Sequence, residues 1–290
     1  MIAVSVSAIM LVSSVTGTYA GDVTAERHAE YEICRDAGQA ERAARVNVTV
    51  NGNAYDGEVF LEKSTTYVGL RQFSMLLGAK NVTWDDRTKT ASVSGDGIDM
   101  KVRYGNKYAE ANGRCLWMEN GSIIRNGTMY VPIRMLGQVF GCRVDWNGST
   151  KTASAVKVSG AIQSGSSYYD SESILWLSRI IHAEAEGEPL YGKIAVGNVV
   201  LNRKSSALFP NTIYGVIFDK ANGVQFTPTA NGTIYNTPNA ESIIAAKLCL
   251  EGVNLMPGAL FFVNEKLAQS SWVSDNREII TVIGNHTFFA

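Results

Sequence analysis

Residues 181–192 read Ile-His-Ala-Glu-Ala-Glu-Gly-Glu-Pro-Leu-Tyr-Gly. Three carboxyls, Glu184, Glu186 and Glu188, alternate with small residues where an apolar helix should end. On a helix Glu184 and Glu188 share a face and Glu186 points elsewhere. Gly187 and Pro189 break the helix around 188, so only Glu184 is firmly placed. It lies one turn beyond Ile180 and Ile181, between Ala183 and Ala185. Apolar surroundings disfavour the charged form and keep the proton on, as a general acid requires. Small neighbours leave room for a bulky substrate. This is the pattern of a glycosidase acid, with Glu188 as a second acid or a group that shapes the turn. The alternative is that all three are solvated charges at a helix end.

Other side chains offer weaker chemistry. Gln225 and Thr227 lie in a polar stretch and suit acetamido and hydroxyl groups, or a turn. Tyr235 and Trp272 suit stacking on sugar faces, or a core. His286 lines a cleft or serves as a satisfied structural histidine. His182 and Glu186 are spaced i,i+4, yet no H-E-x-x-H motif is present, so neither a metal nor another cofactor is expected. Cys34, Cys115, Cys142 and Cys249 show no C-x-x-C spacing, and Cys249 falls among Ala, Leu and Ile.

Position must come from the elements around these residues. From Ser171 the pattern is helical, with Ile174, Leu177, Ile180 and Ile181 on one face. A helix nearly all apolar on one side follows from Leu190, ending in Asn202 and Arg203 as caps. Residues 209–218 give a short capped helix and 223–235 a loop. Residues 238–252 give another helix, with Thr237 as N-cap and Pro238 in its first turn. The period then changes to two. Residues 259–264 and 277–283 read as strands, and Gly284-Asn285 as a two-residue hairpin turn. Residues 170–290 are thus α+β, helices first and a small antiparallel sheet last, after a Ser/Gly linker at 159–169.

The chain has 290 residues, 46% hydrophobic and 18% charged, enough for about two packed domains. Residues 45–158 hold two copies of one unit. Residues 66–93 and 129–156 each run Tyr-Val, Arg, a short amphipathic helix ending in Gly, a Trp strand and Thr-Lys-Thr-Ala-Ser. Leu70, Phe73, Leu76 and Leu77 form one helix face; Ile133, Leu136 and Phe140 form the other. Gly78 and Gly141 suit C-caps. Trp84 and Trp146 are expected to pack helix on sheet. Cys115 and Cys142 replace Ala54 and Ala79 of the first copy, as inert core thiols or as a disulfide. Residues 45–160 carry 15 Lys/Arg against 10 Asp/Glu, net +5, with no basic cluster of the kind that binds nucleic acid. Residues 1–20 read as a signal peptide without a basic n-region, and 21–44 as a charged helical arm or tether.

Tyr130-Val131-Pro132-Ile133-Arg134, then Gly141, Val144-Asp145-Trp146 and the Thr-Lys-Thr run resemble the copper amine oxidase N-terminal-like (stalk) domain. The resemblance covers residues 45–158 and implies a spacer or wall-binding module. Residues 45–160 contain no His, so no imidazole copper site is expected. Ala183-Glu184-Ala185, Gly187-Glu188-Pro189, Val200-Leu201-Asn202-Arg203, Phe209-Pro210-Asn211-Thr212-Ile213, Gln225-Phe226-Thr227-Pro228 and Ile283-Gly284-Asn285-His286 recur in order. They resemble the SleB/CwlJ-type cell wall hydrolases, the spore-cortex-lytic enzyme family of sporulation and germination. That resemblance implies a lysozyme-like α+β fold, an extracytoplasmic, secreted or wall-associated enzyme, peptidoglycan as substrate and Glu184 as the catalytic acid. A lytic transglycosylase needs one such acid and no cofactor. A simple hydrolase needs two, and a silent wall-binding protein none. At Glu186 the family pattern carries a basic residue instead, which should lift the Glu184 proton affinity further or weaken substrate contacts.

Overall fold

The computed structural model describes residues 46–221, 223–264 and 271–290. The signal-peptide and arm expectations, with Cys34, lie outside these residues.

The N-terminal domain is built from strands β1 (Asn47–Val50), β2 (Asn53–Ala54), β3 (Val59–Glu62) and β4 (Thr65–Gly69), helix α1 (Leu70–Leu76), and strands β5 (Asn81–Asp85), β6 (Thr90–Gly95), β7 (Ile98–Arg103), β8 (Tyr108–Ala111) and β9 (Arg114–Trp117). It continues with β10 (Ile123–Arg125), β11 (Thr128–Pro132), α2 (Ile133–Val139), β12 (Cys142–Asn147) and β13 (Thr152–Lys157). The repeat shows in the pairing. Hairpins β3–β4 and β10–β11 join edge to edge, with Val68 opposite Val131, Tyr67 opposite Pro132 and Gly69 opposite Tyr130. Val68 and Val131 are equivalent residues of the two copies, so a local twofold axis passes between them. The copies also interlock, because β1 of the first runs parallel to β13 of the second.

Helix burial differs between the copies. Ile133, Leu136 and Phe140 are buried as expected, as are Leu70 and Phe73, but Leu76 is exposed. Seven residues make two turns, and Leu76 falls past the edge of the buried stripe. Gly78 and Gly141 have φ of +106° and +66°, as C-cap glycines should. Trp84 and Trp146 do not pack helix on sheet; both rings are exposed. Cys115 and Cys142 are free thiols in different cores. Ala54 is exposed, whereas its equivalent Cys115 is buried. The second copy's β9 is covered by the C-terminal domain and the first copy's β2 is not.

That domain begins with a helical turn, α3 (Gly165–Tyr168), inside the stretch read as a linker. Gly165 packs on Gly113: a Cβ there would stand 2.6 Å from the Gly113 oxygen. Then follow α4 (Ser171–Ala185), α5 (Leu190–Ser205), α6 (Ile213–Ile217), α7 (Pro228–Asn231) and α8 (Ala240–Leu250). Strand β14 (Phe261–Val263), helix α9 (Trp272–Asn276) and strands β15 (Ile279–Ile283) and β16 (His286–Phe289) complete it. The last three strands form an antiparallel sheet in the order β14-β16-β15. The fold is thus α+β, sheet-rich in the N-terminal domain and helical with a small sheet in the C-terminal one.

Capping explains several helix starts. Asp170 accepts from Ser173 N and Thr212 from Gly215 N. The start of α8 departs from expectation: Asn239, not Thr237, caps it, accepting from Ser242 N. The 223–235 stretch is not all loop, since α7 and a 3₁₀ turn (Thr233–Tyr235) occupy its end. Asn202 and Arg203 do not cap their own helix. Asn202 Nδ2 donates to the carbonyls of Met256 and Ala259, and Arg203 Nε donates to Leu260 O at 2.6 Å. They pin the segment that leads into β14.

Across the two domains Arg114 and Glu251 form a buried fork, with Nε–Oε1 at 2.7 Å and Nη2–Oε2 at 2.6 Å. Tyr169 Oη donates to the same Oε1 at 2.7 Å, and Lys247 Nζ donates to Gly113 O at 2.7 Å. A planar guanidinium against a carboxylate satisfies both charges, which is what makes their burial tolerable.

Candidate active site

Helix α4 buries Leu177, Ile180 and Ile181 completely. Glu184 lies seven residues beyond Leu177 and four beyond Ile180, so it continues that apolar stripe at the helix end. Burial pushes its carboxyl up from 4.5 to about 7. Desolvation is the cause, and among the described residues no hydrogen bond engages the carboxyl. Glu186 points outward and is exposed, 4.0 Å from His182 Nε2.

Glu188 is a different kind of carboxyl. It is buried, and Oε1 accepts from Asn285 Nδ2 at 2.9 Å, while both oxygens lie 3.3 Å from Asn285 N. His286 Nδ1 stands 3.9 Å from Oε1, and burial lowers the imidazole's proton affinity against the opposing pull of Glu188. The hairpin turn is pressed onto this carboxylate. A Cβ on Gly284, at φ +58°, would fall 1.6 Å from Glu188 Oε2. Only a residue without a side chain permits that approach. The turn therefore rests on Glu188, whose oxygens both face Asn285.

Lys193 completes the arrangement and was not foreseen. Its side chain is buried, its Nζ donates to Glu188 O, and it pairs with Glu241 Oε2 at 2.7 Å. The signal was present as a lone cation within an otherwise apolar helix segment. The structure thus brings Glu188, His286, Asn285 and Lys193 together, with Glu184 on the preceding turn of chain.

The other candidates are spread out. Gln225 Oε1 accepts from Arg203 Nη1 at 3.3 Å, so its amide is tied to a buried guanidinium. That guanidinium lies 4.9–5.2 Å from the rings of Phe209, Phe226 and Phe261, and burial lowers its pKa to about 10. Thr227 is exposed at the start of α7. Trp272 is exposed on α9, with Arg277 5.5 Å from its ring. Tyr235 is exposed and meets Trp176 edge-on at 6.2 Å. Trp176 sits on α4 two turns before Glu184 and also meets Tyr214 and Phe218 at 5.4 and 5.2 Å. An aromatic cluster therefore borders the helix that carries Glu184, and of the expected stacking residues only Tyr235 belongs to it. Among the described residues no three metal-ligating side chains converge.

Comparison with known proteins bears on both domains. Residues 187–289 match the Cell Wall Hydrolase family model, and residues 49–155 the Copper amine oxidase N-terminal domain. The spore cortex-lytic enzyme of Bacillus cereus is 38% identical over 120 residues, 41% of this chain and 45% of that protein. The spore cortex-lytic enzyme of Oceanobacillus iheyensis is 38% identical over 41% of this chain and 42% of its own length. This chain spans less than half the length of these relatives. The solved catalytic domain of the germination-specific lytic transglycosylase SleB from Bacillus anthracis is 38% identical, with 42% of this chain and 97% of that domain covered, at a TM-score of 0.39. Residues 187–289 are thus a cell wall hydrolase domain, homologous to the spore cortex-lytic enzymes.

Proposed function

We propose that this protein is an exported peptidoglycan-lytic enzyme that cleaves the glycan strand between N-acetylmuramic acid and N-acetylglucosamine. It acts as a lytic transglycosylase with Glu184 as its single general acid and base. The observation that carries this reading is the contrast between two neighbouring carboxyls. Glu184 is desolvated, free of hydrogen bonds among the described residues, and lifted to about 7, so at neutral pH it is poised to give and take a proton. Glu188 is spent on the hairpin turn.

The steps need nothing beyond the substrate and this acid. Protonated Glu184 gives its proton to the glycosidic oxygen as the bond to muramic C1 breaks, and positive charge develops at C1. The resulting carboxylate then takes the proton of the muramic C6 hydroxyl while O6 bonds to C1. A 1,6-anhydro ring closes, and Glu184 ends protonated. No water enters, which fits a site with one free carboxyl rather than the pair a hydrolase requires. Glu188 acts as a positioning residue through Asn285 and His286. The relatives' names support a wall substrate.

Mass spectrometry of soluble fragments released from purified peptidoglycan tests this. Products one water lighter than hydrolytic ones, absent with Glu184→Gln, are expected. Products with free reducing ends would transfer the reaction to hydrolysis, with Glu188 as the second acid.

A further inference from the structure

The twofold relation that pairs Val68 with Val131 generates more than a sheet. A cleft of about 730 Å³ is lined by Leu70, Arg71, Val82 and Trp84 of the first copy and Ile124 and Thr128 of the second. A second cleft of about 200 Å³ is lined by Ile133, Arg134, Val144 and Trp146 of the second copy and Leu61 and Thr65 of the first. Each residue of one set is the repeat equivalent of one in the other. The first cleft is larger, and Tyr104 and Lys89 line it alone.

We propose that these clefts are paired binding sites for an acid-bearing glycan, the peptidoglycan strand. This inference rests on the function proposed above. Trp84 and Trp146 remain 40% and 41% exposed at the same repeat position. Two indoles left out of an adjacent core forgo the burial that apolar surface ordinarily gains. Their faces suit the apolar face of a pyranose. Trp84 Nε1 donates to Asp86 Oδ1 at 3.4 Å, which fixes the ring edge and leaves the face open. Among the described residues neither Arg71 nor Arg134 has a hydrogen-bond or ion-pair partner, so each presents a free fork for a carboxylate. Peptidoglycan places lactyl and stem-peptide carboxyls beside its pyranoses at every disaccharide. Two equivalent sites let one chain hold two strands of the wall at once, which raises its avidity. A nucleic acid also stacks and repeats, but it calls for a basic cluster, and residues 45–160 carry none.

Co-sedimentation of the full chain, carrying Glu184→Gln so that the wall is not consumed, with purified peptidoglycan tests the proposal. Substituting Trp84 and Arg71 with Ala, or Trp146 and Arg134 with Ala, should weaken binding roughly five- to tenfold per cleft, the effect of losing an aromatic–arginine hot spot. Amidating the wall carboxyls should weaken the parent similarly. All four side chains are exposed, and unchanged melting temperatures will show that the variants fold. Binding equal to the parent in every variant, or displacement of the chain from the wall by a single-stranded oligonucleotide, overturns the proposal. The same cleft substitutions in the Glu184 chain should leave cleavage of soluble glycan fragments unchanged; its loss would place the clefts in the catalytic site and overturn their separate role. Absence of cleavage by the unmodified chain would refute the proposed activity instead, with wall binding still measurable.

Discussion

Glu184→Gln tests the desolvated acid in two independent ways. The folded chain holds this proton up to about pH 7, whereas the same group unfolded releases it near 4.5. A value raised on folding means that the folded state binds more protons between those limits. Stability contributed by the neutral acid is therefore full below 4.5, falls as pH rises through 7, and levels off above. The span is about 2.5 units at about 1.36 kcal/mol each, or ~3 kcal/mol, and partial solvent contact of the side chain trims this to about 2–3 kcal/mol. Gln keeps the shape and removes the titration. The variant should match the parent in stability at pH 4.5 and exceed it by about 2–3 kcal/mol at pH 8, while releasing no soluble wall fragments at any pH. Urea unfolding followed by tryptophan fluorescence across this range measures the difference. A stability difference that stays flat from pH 4.5 to 8 would refute the assignment of an apolar, unpaired site to Glu184. The parent's lytic rate should fall above pH 7 as the acid is lost.

Gly284→Ala should cost about 2 kcal/mol or more and cut lysis at least tenfold, because the new Cβ would meet Glu188. Gly258→Ala, also at positive φ but with nothing within 4 Å, should cost less, and equal melting shifts for the two would remove the argument from close approach. Arg114→Ala leaves Glu251 buried without its cation and should lower stability by about 3–5 kcal/mol; the double substitution to Met at 114 and 251 should recover part of that in calorimetry, and no recovery would count against a charge-burial cause. Cys115, Cys142 and Cys249 are buried, and burial pushes the Cys115 thiol to about 12, so none of the three should react with a thiol reagent until denaturant is added.

Much of this protein was legible in its residues. The repeat, the capping glycines at 78 and 141, the apolar stripe ending at Glu184 and the Gly284-Asn285 turn all follow from local rules of period and backbone freedom. The acid's apolar setting was legible for the same reason, since a helix face is set by spacing alone. What sequence could not supply was which surfaces meet. Leu76 and Trp84 carry side chains of core type yet lie outside, because seven-residue helices bury a narrow stripe and the repeats turn their indoles toward clefts. Cys115 is buried by a domain some fifty residues or more further along the chain, a contact no alignment to Ala54 could reveal. The role of Glu188 is the clearest case. Its neighbours in sequence mark a turn and leave its role open between a second acid and a turn-shaping group, and only the return of the chain 97 residues later places Asn285 against its oxygens.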